Sequence, residues 1–106
     1  MFGSIFSKSE TDLIGADFKN QFEKEANKVL LDVRTPAEFQ SGSISKSVNI
    51  DFMASDFISK AEKLDKSKTY FVYCRSGNRS GQAVSILKKL GIKAFNLSGG
   101  IGAWPR

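Results

Sequence analysis

The stretch that decides the fold is YFVYCRSGNRSGQ, residues 70–82. A run of aromatic and β-branched residues, typical of a buried strand, ends at Cys74, the only cysteine in the sequence. Two arginines and a glycine follow before the apolar positions of a helix begin. The segment therefore predicts a strand, a tight charged loop and a helix, with a thiol where the strand ends.

Several apolar runs have the length and composition of buried strands. They are KVLLDV at 28–33, SVNI at 47–50, TYFVYC at 69–74 and KAFNL at 93–97. Near-continuous apolar character is typical of parallel strands that are covered on both faces. A first strand is expected within residues 5–14, where the pattern is weaker. These segments predict one mainly parallel sheet.

Apolar residues with helical spacing lie between the predicted strands. They are Phe18, Phe22 and Ala26, then Phe57, Ile58, Ala61 and Leu64, then Ala83, Val84, Leu87 and Leu90. Alternating strands and helices are typical of a parallel sheet with helices on both faces. The 106 residues suffice for one such unit, so a single α/β domain over residues 1–106 is predicted.

Local signals mark helix boundaries. Thr35 can cap a short helix that starts at Pro36, and Glu38 stands where a capping box requires an acidic residue. Glu38 is therefore assigned a capping role and not a catalytic one. Gly91 is placed to end the longest helix, which is expected to begin near Ser80, a natural N-cap residue.

The loop after Cys74 has the features of an anion site. Functional sites of parallel α/β sheets gather beyond the carboxyl ends of the strands, which is where Cys74 lies. Gly77 allows the positive φ that a tight turn often requires. Inward backbone amides, a helix N-terminus, Arg75 and Arg79 all favour a thiolate over a thiol. The alternative role is a small buried hydrophobe, which would gain nothing from the arginines.

Composition narrows the chemistry. The sequence has no histidine, which excludes Ser-His-Asp triads, Cys-His dyads and imidazole metal sites, and one cysteine excludes a thiolate zinc cluster, so no metal is predicted. The net charge of +5 is dispersed along the chain, which does not favour nucleic-acid binding. No membrane span or export signal is recognisable. We expect a cytoplasmic monomer without nucleic-acid or membrane partners.

Cysteine phosphatases also place a cysteine before a loop and a helix. Their arginine follows the cysteine after five intervening residues, whereas four separate Cys74 from Arg79, and Ser80 occupies the phosphatase position. Tyr73 stands where those enzymes usually have histidine. Phosphatase or arsenate reductase activity is therefore the less favoured interpretation.

The sequence closely resembles the rhodanese family of sulfurtransferases. The resemblance is carried by LIGADF at 13–18, LLDVRTPAEFQSGSI at 30–44, YCRSGNRS at 73–80 and LSGGIGAW at 97–104. It implies a three-layer α/β fold and a ping-pong transfer through a Cys74 persulfide, without a cofactor. The implied donor is a small anion such as thiosulfate or a persulfide, and the implied acceptor is cyanide or a thiol such as thioredoxin or glutathione.

The arginines of the loop are candidates for binding the sulfonate end of a donor, because guanidinium groups match planar oxyanions. Asp32 and Arg34 end another strand at the same edge and are assigned a supporting role, either as a structural ion pair or in contact with substrate. The predicted substrate-binding loop comprises Arg75, Ser76, Gly77, Asn78, Arg79 and Ser80. A rhodanese-like module that carries sulfur or binds partners without turnover remains the alternative to an enzyme.

Overall fold

The computed structural model describes residues 10–106, and strands and helices alternate along this part of the chain. The strands are β1 (Asp12–Leu13), β2 (Lys28–Asp32), β3 (Val48–Asn49), β4 (Thr69–Tyr73) and β5 (Lys93–Leu97). The helices are α1 (Gly15–Lys24), α2 (Pro36–Gln40), α3 (Phe57–Glu62) and α4 (Asn78–Lys89), and a 3-10 turn spans Ile101–Ala103. The predicted alternation is confirmed.

The five strands form one parallel sheet in the order β1-β5-β4-β2-β3. Strand β4 lies at its centre and is buried along its whole length. The predicted α/β fold class is therefore confirmed. Because all strands run the same way, the loops that follow them meet at one edge of the sheet, and Cys74 lies at this edge.

Helices cover both faces of the sheet, so the side chains of β4 enter two separate cores. Tyr70, Val72 and Cys74 face a cluster that includes residues of α3 and α4. Phe71 and Tyr73 face the other cluster, which includes residues of α1. This alternation explains the continuous apolar run that the sequence shows. Trp104 packs edge-to-face against Phe18 and Phe22 in this second cluster.

Strand β5 has the predicted bounds, whereas β2, β3 and β4 are each slightly shorter than predicted. Strand β2 ends at Asp32, although Val33 still donates a hydrogen bond to the Tyr73 carbonyl oxygen over 3.0 Å. Of SVNI at 47–50, just Val48–Asn49 is strand. Strand β1 falls inside the expected range 5–14, of which residues 5–9 lie outside the described part.

Some predicted helical positions fall beyond the observed helices. Ala26 follows the end of α1, Leu64 follows α3, and Leu90 caps α4, because each helix is shorter than its apolar spacing allows. Ile58 lies within α3 but is 47% exposed, so it is not part of the core.

The helix boundaries test two capping predictions. The capping box is confirmed: Thr35 Oγ1 accepts a hydrogen bond from the Glu38 amide, and Glu38 Oε1 accepts one from the Thr35 amide. The predicted start of α4 near Ser80 is wrong, because the helix begins at Asn78 after Gly77, which has φ of +98°. A glycine in this conformation reverses the chain at once, so Ser80 lies inside the first turn and does not cap the helix.

Candidate active site

Cys74 follows the central strand directly, and its side chain is fully buried. Its Sγ atom accepts hydrogen bonds from the Gly77 amide at 3.1 Å, the Ser80 hydroxyl at 3.3 Å and the Ser80 amide at 3.4 Å. These donors belong to the loop and to the first turn of α4. The sulfur therefore sits in a cradle of donors that is suited to negative charge.

Two opposing effects act on the Cys74 thiol. Burial raises its pKa, while hydrogen bonds from the Ser80 hydroxyl and amide and from the Gly77 and Ser76 amides lower it. The hydrogen bonds together prevail, and the pKa lies below its ordinary value. A larger share of thiolate follows, and the thiolate is the nucleophilic form of cysteine.

The loop around the sulfur rests on the turn that follows β5. The Ile101 amide donates to the Cys74 carbonyl oxygen at 2.8 Å. A Cβ atom on Gly100 would overlap the Arg75 carbonyl group, and one on Gly77 would lie 3.1 Å from the Gly99 nitrogen. The two glycine-containing turns therefore pack backbone against backbone, and this contact fixes the position of the loop amides relative to the sulfur.

The other loop residues face outward. Arg75, Ser76 and Asn78 are exposed. The Asn78 side-chain oxygen accepts a hydrogen bond from Gln82 one helical turn later, at 2.8 Å. Among residues 10–106, no acidic side chain forms a salt bridge with Arg75. Arg75 is therefore available to an anion at the rim of the loop.

Arg79 is engaged with Glu38. Its two terminal nitrogens donate to the two carboxylate oxygens at 2.9 and 3.2 Å. The hydrogen bonds from Arg79 and then from Thr35 lower the pKa of Glu38 from 4.5 to about 2. Sequence analysis gave Glu38 a capping role and missed this pair, because no local signal connects residues that are 41 positions apart.

Asp32 and Arg34 form a buried ion pair at the end of β2. The Arg34 Nη2 atom lies 2.7 Å from Asp32 Oδ2 and 2.7 Å from the Gly42 carbonyl oxygen. The Asn49 amide group donates to the backbone oxygens of both residues. These contacts join the segments after β2 and β3, and none of them reaches the Cys74 sulfur. The pair thus links neighbouring loops at the edge of the sheet where Cys74 lies.

Tyr73 is a supporting residue that sequence analysis did not assign. Its hydroxyl accepts a hydrogen bond from the Ile44 amide at 3.1 Å and bonds to the Ser47 hydroxyl at 3.0 Å. The Arg34 guanidinium lies 5.7 Å from the centre of its ring. A tyrosine at the end of a buried strand must find partners for its hydroxyl, which is the signal that could have revealed it.

The described residues contain no group of three or more His, Cys, Asp and Glu side chains able to hold a metal ion. Among the same residues, no helix has the length and apolar character needed to cross a membrane.

Comparison with known proteins identifies the family. The rhodanese-like domain family matches residues 15–106. YtwF of Bacillus subtilis, provisionally named a sulfurtransferase, is 38% identical over 89 residues, which cover 84% of each chain. A protein of Allochromatium vinosum named sulfurtransferase is 37% identical over 79 residues, which cover 74% of this chain and 72% of that one.

A solved structure supports the same assignment. The rhodanese-related protein of Thermoplasma volcanium superposes with a TM-score of 0.75 at 36% identity, covering 88% of both chains. The fold is thus a parallel sheet with a cysteine loop at its carboxyl edge. The chain belongs to the rhodanese-like domain family, whose similar members are named sulfurtransferases.

Proposed function

We propose that the protein transfers sulfane sulfur through a persulfide on Cys74. The observation that carries this proposal is the set of hydrogen bonds around the Cys74 sulfur, which lower the pKa of the thiol despite full burial. A buried cysteine with a purely structural role has no need of three donors. The names of two similar proteins point to the same chemistry.

In the first half of the reaction, the Cys74 thiolate attacks the outer sulfur of the donor. A new S–S bond forms to Cys74, the S–S bond of the donor breaks, and its electron pair leaves with sulfite when thiosulfate is the donor. The charge stays constant, and no outside oxidant or reductant is needed. The amides of Gly77 and Ser80 then stabilise the negative charge of the persulfide.

In the second half, an external nucleophile attacks the outer persulfide sulfur and restores the Cys74 thiolate. Cyanide would leave as thiocyanate, and a thiol such as glutathione or reduced thioredoxin would leave as its own persulfide. An external acceptor is required because the sequence has no second cysteine. We place this reaction in the cytoplasm, on a monomer.

We assign donor binding to the outer surface of the loop. Arg75 is exposed and supplies an unpaired guanidinium at its rim, while the Ser76 and Asn78 positions shape the entrance. Asp32 and Arg34 act without touching the donor, because their ion pair holds the segments beside the loop in place.

The test is the intact mass of the protein after incubation with thiosulfate and desalting without reductant. The wild type should gain one sulfur atom, and cyanide should remove it and release thiocyanate. Cys74→Ser should fold and gain no sulfur. Equal sulfur gain in both proteins would refute the assignment of Cys74, and loading without repeated turnover would favour a sulfur carrier over an enzyme.

A further inference from the structure

The charge of Arg79, at the mouth of the loop, is already balanced before a donor arrives. The Arg79 guanidinium forms a two-point ion pair with Glu38, and both side chains remain partly exposed, at 23% and 28%. The hydrogen bonds that Arg79 donates to Glu38 raise the pKa of Arg79. The negative charges of Cys74 and Asp51 raise this pKa further. Arg79 is therefore within electrostatic reach of the sulfur, but its charge is compensated by carboxylates.

Helix α2 holds the Glu38 carboxylate in position independently of Arg79. The Oε1 atom of Glu38 accepts hydrogen bonds from the Thr35 amide at 3.0 Å and from the Thr35 hydroxyl at 3.2 Å. The capping box thus fixes the carboxylate at the first turn of its own helix. For Arg79 to bind an incoming sulfonate, it must give up a partner that is already in place.

Resting on the sulfur transfer proposed above, we propose that Glu38 is a positioning residue that sets donor preference through Arg79. By occupying the guanidinium, it disfavours the dianion thiosulfate and favours a sulfane donor that carries a single negative charge, such as a low-molecular-weight persulfide. Of the two loop arginines, Arg75 then remains to meet the donor.

The chemistry at Cys74 is the same for either class of donor. With an ionised persulfide, the thiolate bonds to the outer sulfur, the donor S–S bond breaks, and its electron pair leaves on the donor thiolate. One negative charge is exchanged for another, so the site needs no second free arginine to hold the leaving group. Thiosulfate instead releases a sulfite dianion, which benefits from a further cation.

The experiment compares thiosulfate with methanethiosulfonate, a monoanion that presents the same kind of sulfane sulfur on a methylsulfonyl group. Cyanide is the acceptor, and thiocyanate release gives kcat/KM. Glu38→Gln should raise kcat/KM for thiosulfate about tenfold through a lower KM, because Arg79 becomes free to make charge-assisted hydrogen bonds. The rise for methanethiosulfonate should be about threefold, because its sulfonyl oxygens carry less charge.

Two further variants separate this role from a change in structure or total charge. Glutamine also completes a capping box, so Glu38→Gln should retain α2 and lose only the stability that the ion pair contributes. Glu62→Gln removes the same charge from an exposed site at the end of α3, and kcat/KM should stay unchanged for both donors. In an Arg79→Gln background, Glu38→Gln should change kcat/KM for thiosulfate by about threefold or less.

The outcomes distinguish the two proposals. If the wild type transfers sulfur but Glu38→Gln leaves the ratio of kcat/KM for the two donors unchanged, the role of Glu38 is refuted and the proposed function stands. An equal effect with and without Arg79 also refutes it. If the wild type takes sulfur from neither donor, nor from a low-molecular-weight persulfide, the proposed function fails, and the donor preference fails with it.

Discussion

The hydroxyl of Ser80 lies 3.3 Å from the Sγ atom of Cys74, inside the first turn of α4. This contact exists because Gly77 reverses the chain within three residues of the cysteine, which brings the start of the helix over the end of β4. A residue that sequence analysis expected to cap the helix instead donates both its hydroxyl and its amide to the sulfur.

Ser80→Ala should make the Cys74 thiol less reactive. The pKa of Cys74 should rise, because the Ser80 hydroxyl is the largest of the effects that lower it. The rate of alkylation by iodoacetamide near pH 7 should fall about three- to tenfold, which corresponds to the loss of a hydrogen bond worth about 0.7 to 1.4 kcal/mol. Ser85→Ala, on the exposed side of the same helix, should react at the wild-type rate. Equal rates for all three proteins would contradict the role of Ser80.

Gly100→Ala should disrupt the loop without touching the sulfur directly. The added Cβ atom would overlap the Arg75 carbonyl group, and Gly100 has φ of +77°, which non-glycine residues rarely adopt. We expect the free energy of unfolding to fall by about 2 kcal/mol or more. Most of the sulfur-transfer activity should be lost as well. Urea unfolding and thiocyanate release measure the two effects. Gly102→Ala is the matched control, since no atom lies within 4 Å of its added Cβ.

Asp32→Asn should destabilise the fold strongly, because it leaves the buried Arg34 charge without its partner. Removing one member of a buried ion pair costs about 3 kcal/mol or more in free energy of unfolding. The comparison is Asp56→Asn, which breaks an exposed pair with Lys60 and should change stability by less than about 0.5 kcal/mol. Similar unfolding midpoints in urea for the two variants would argue against a structural role for the buried pair.

The Glu38–Arg79 pair should make stability depend on acid pH. The pKa of Glu38 is about 2 in the folded protein, against an ordinary value of 4.5. The pair therefore stabilises the fold fully at pH values above 4.5. This contribution declines as pH falls from the ordinary value towards the folded one. Because both groups are partly exposed, we expect it to reach about 1 kcal/mol.

The difference in unfolding free energy between the wild type and Glu38→Gln is the measurement for this pair. It should be larger at about pH 6 than at about pH 3, because at the lower pH Glu38 of the unfolded chain takes up a proton, which offsets part of the stabilisation by the ion pair. A difference that stays constant over this range would show that the pair does not stabilise the fold.

The chain's local patterns were sufficient to predict the strands and helices and to propose a nucleophile. The apolar run at 69–74 predicted a central strand, and Thr35 with Glu38 predicted a capping box, because both depend on residues that are close in sequence. Cys74 was recognised for the same reason, since its strand, loop and arginines are consecutive. The error at Ser80 arose where Gly77 could start the helix earlier than the side-chain signal indicated.

Pairings between separate elements were decided by the tertiary structure alone. Glu38 meets Arg79, Tyr73 meets Ile44, and Gly100 lies beneath Arg75, and no periodicity or spacing relates the members of these pairs. They meet because a parallel sheet brings the ends of distant strands to one edge. The sequence by itself determined the order of strands and helices and the candidate nucleophile Cys74, and the packing of that edge decided which charges and amides surround its sulfur.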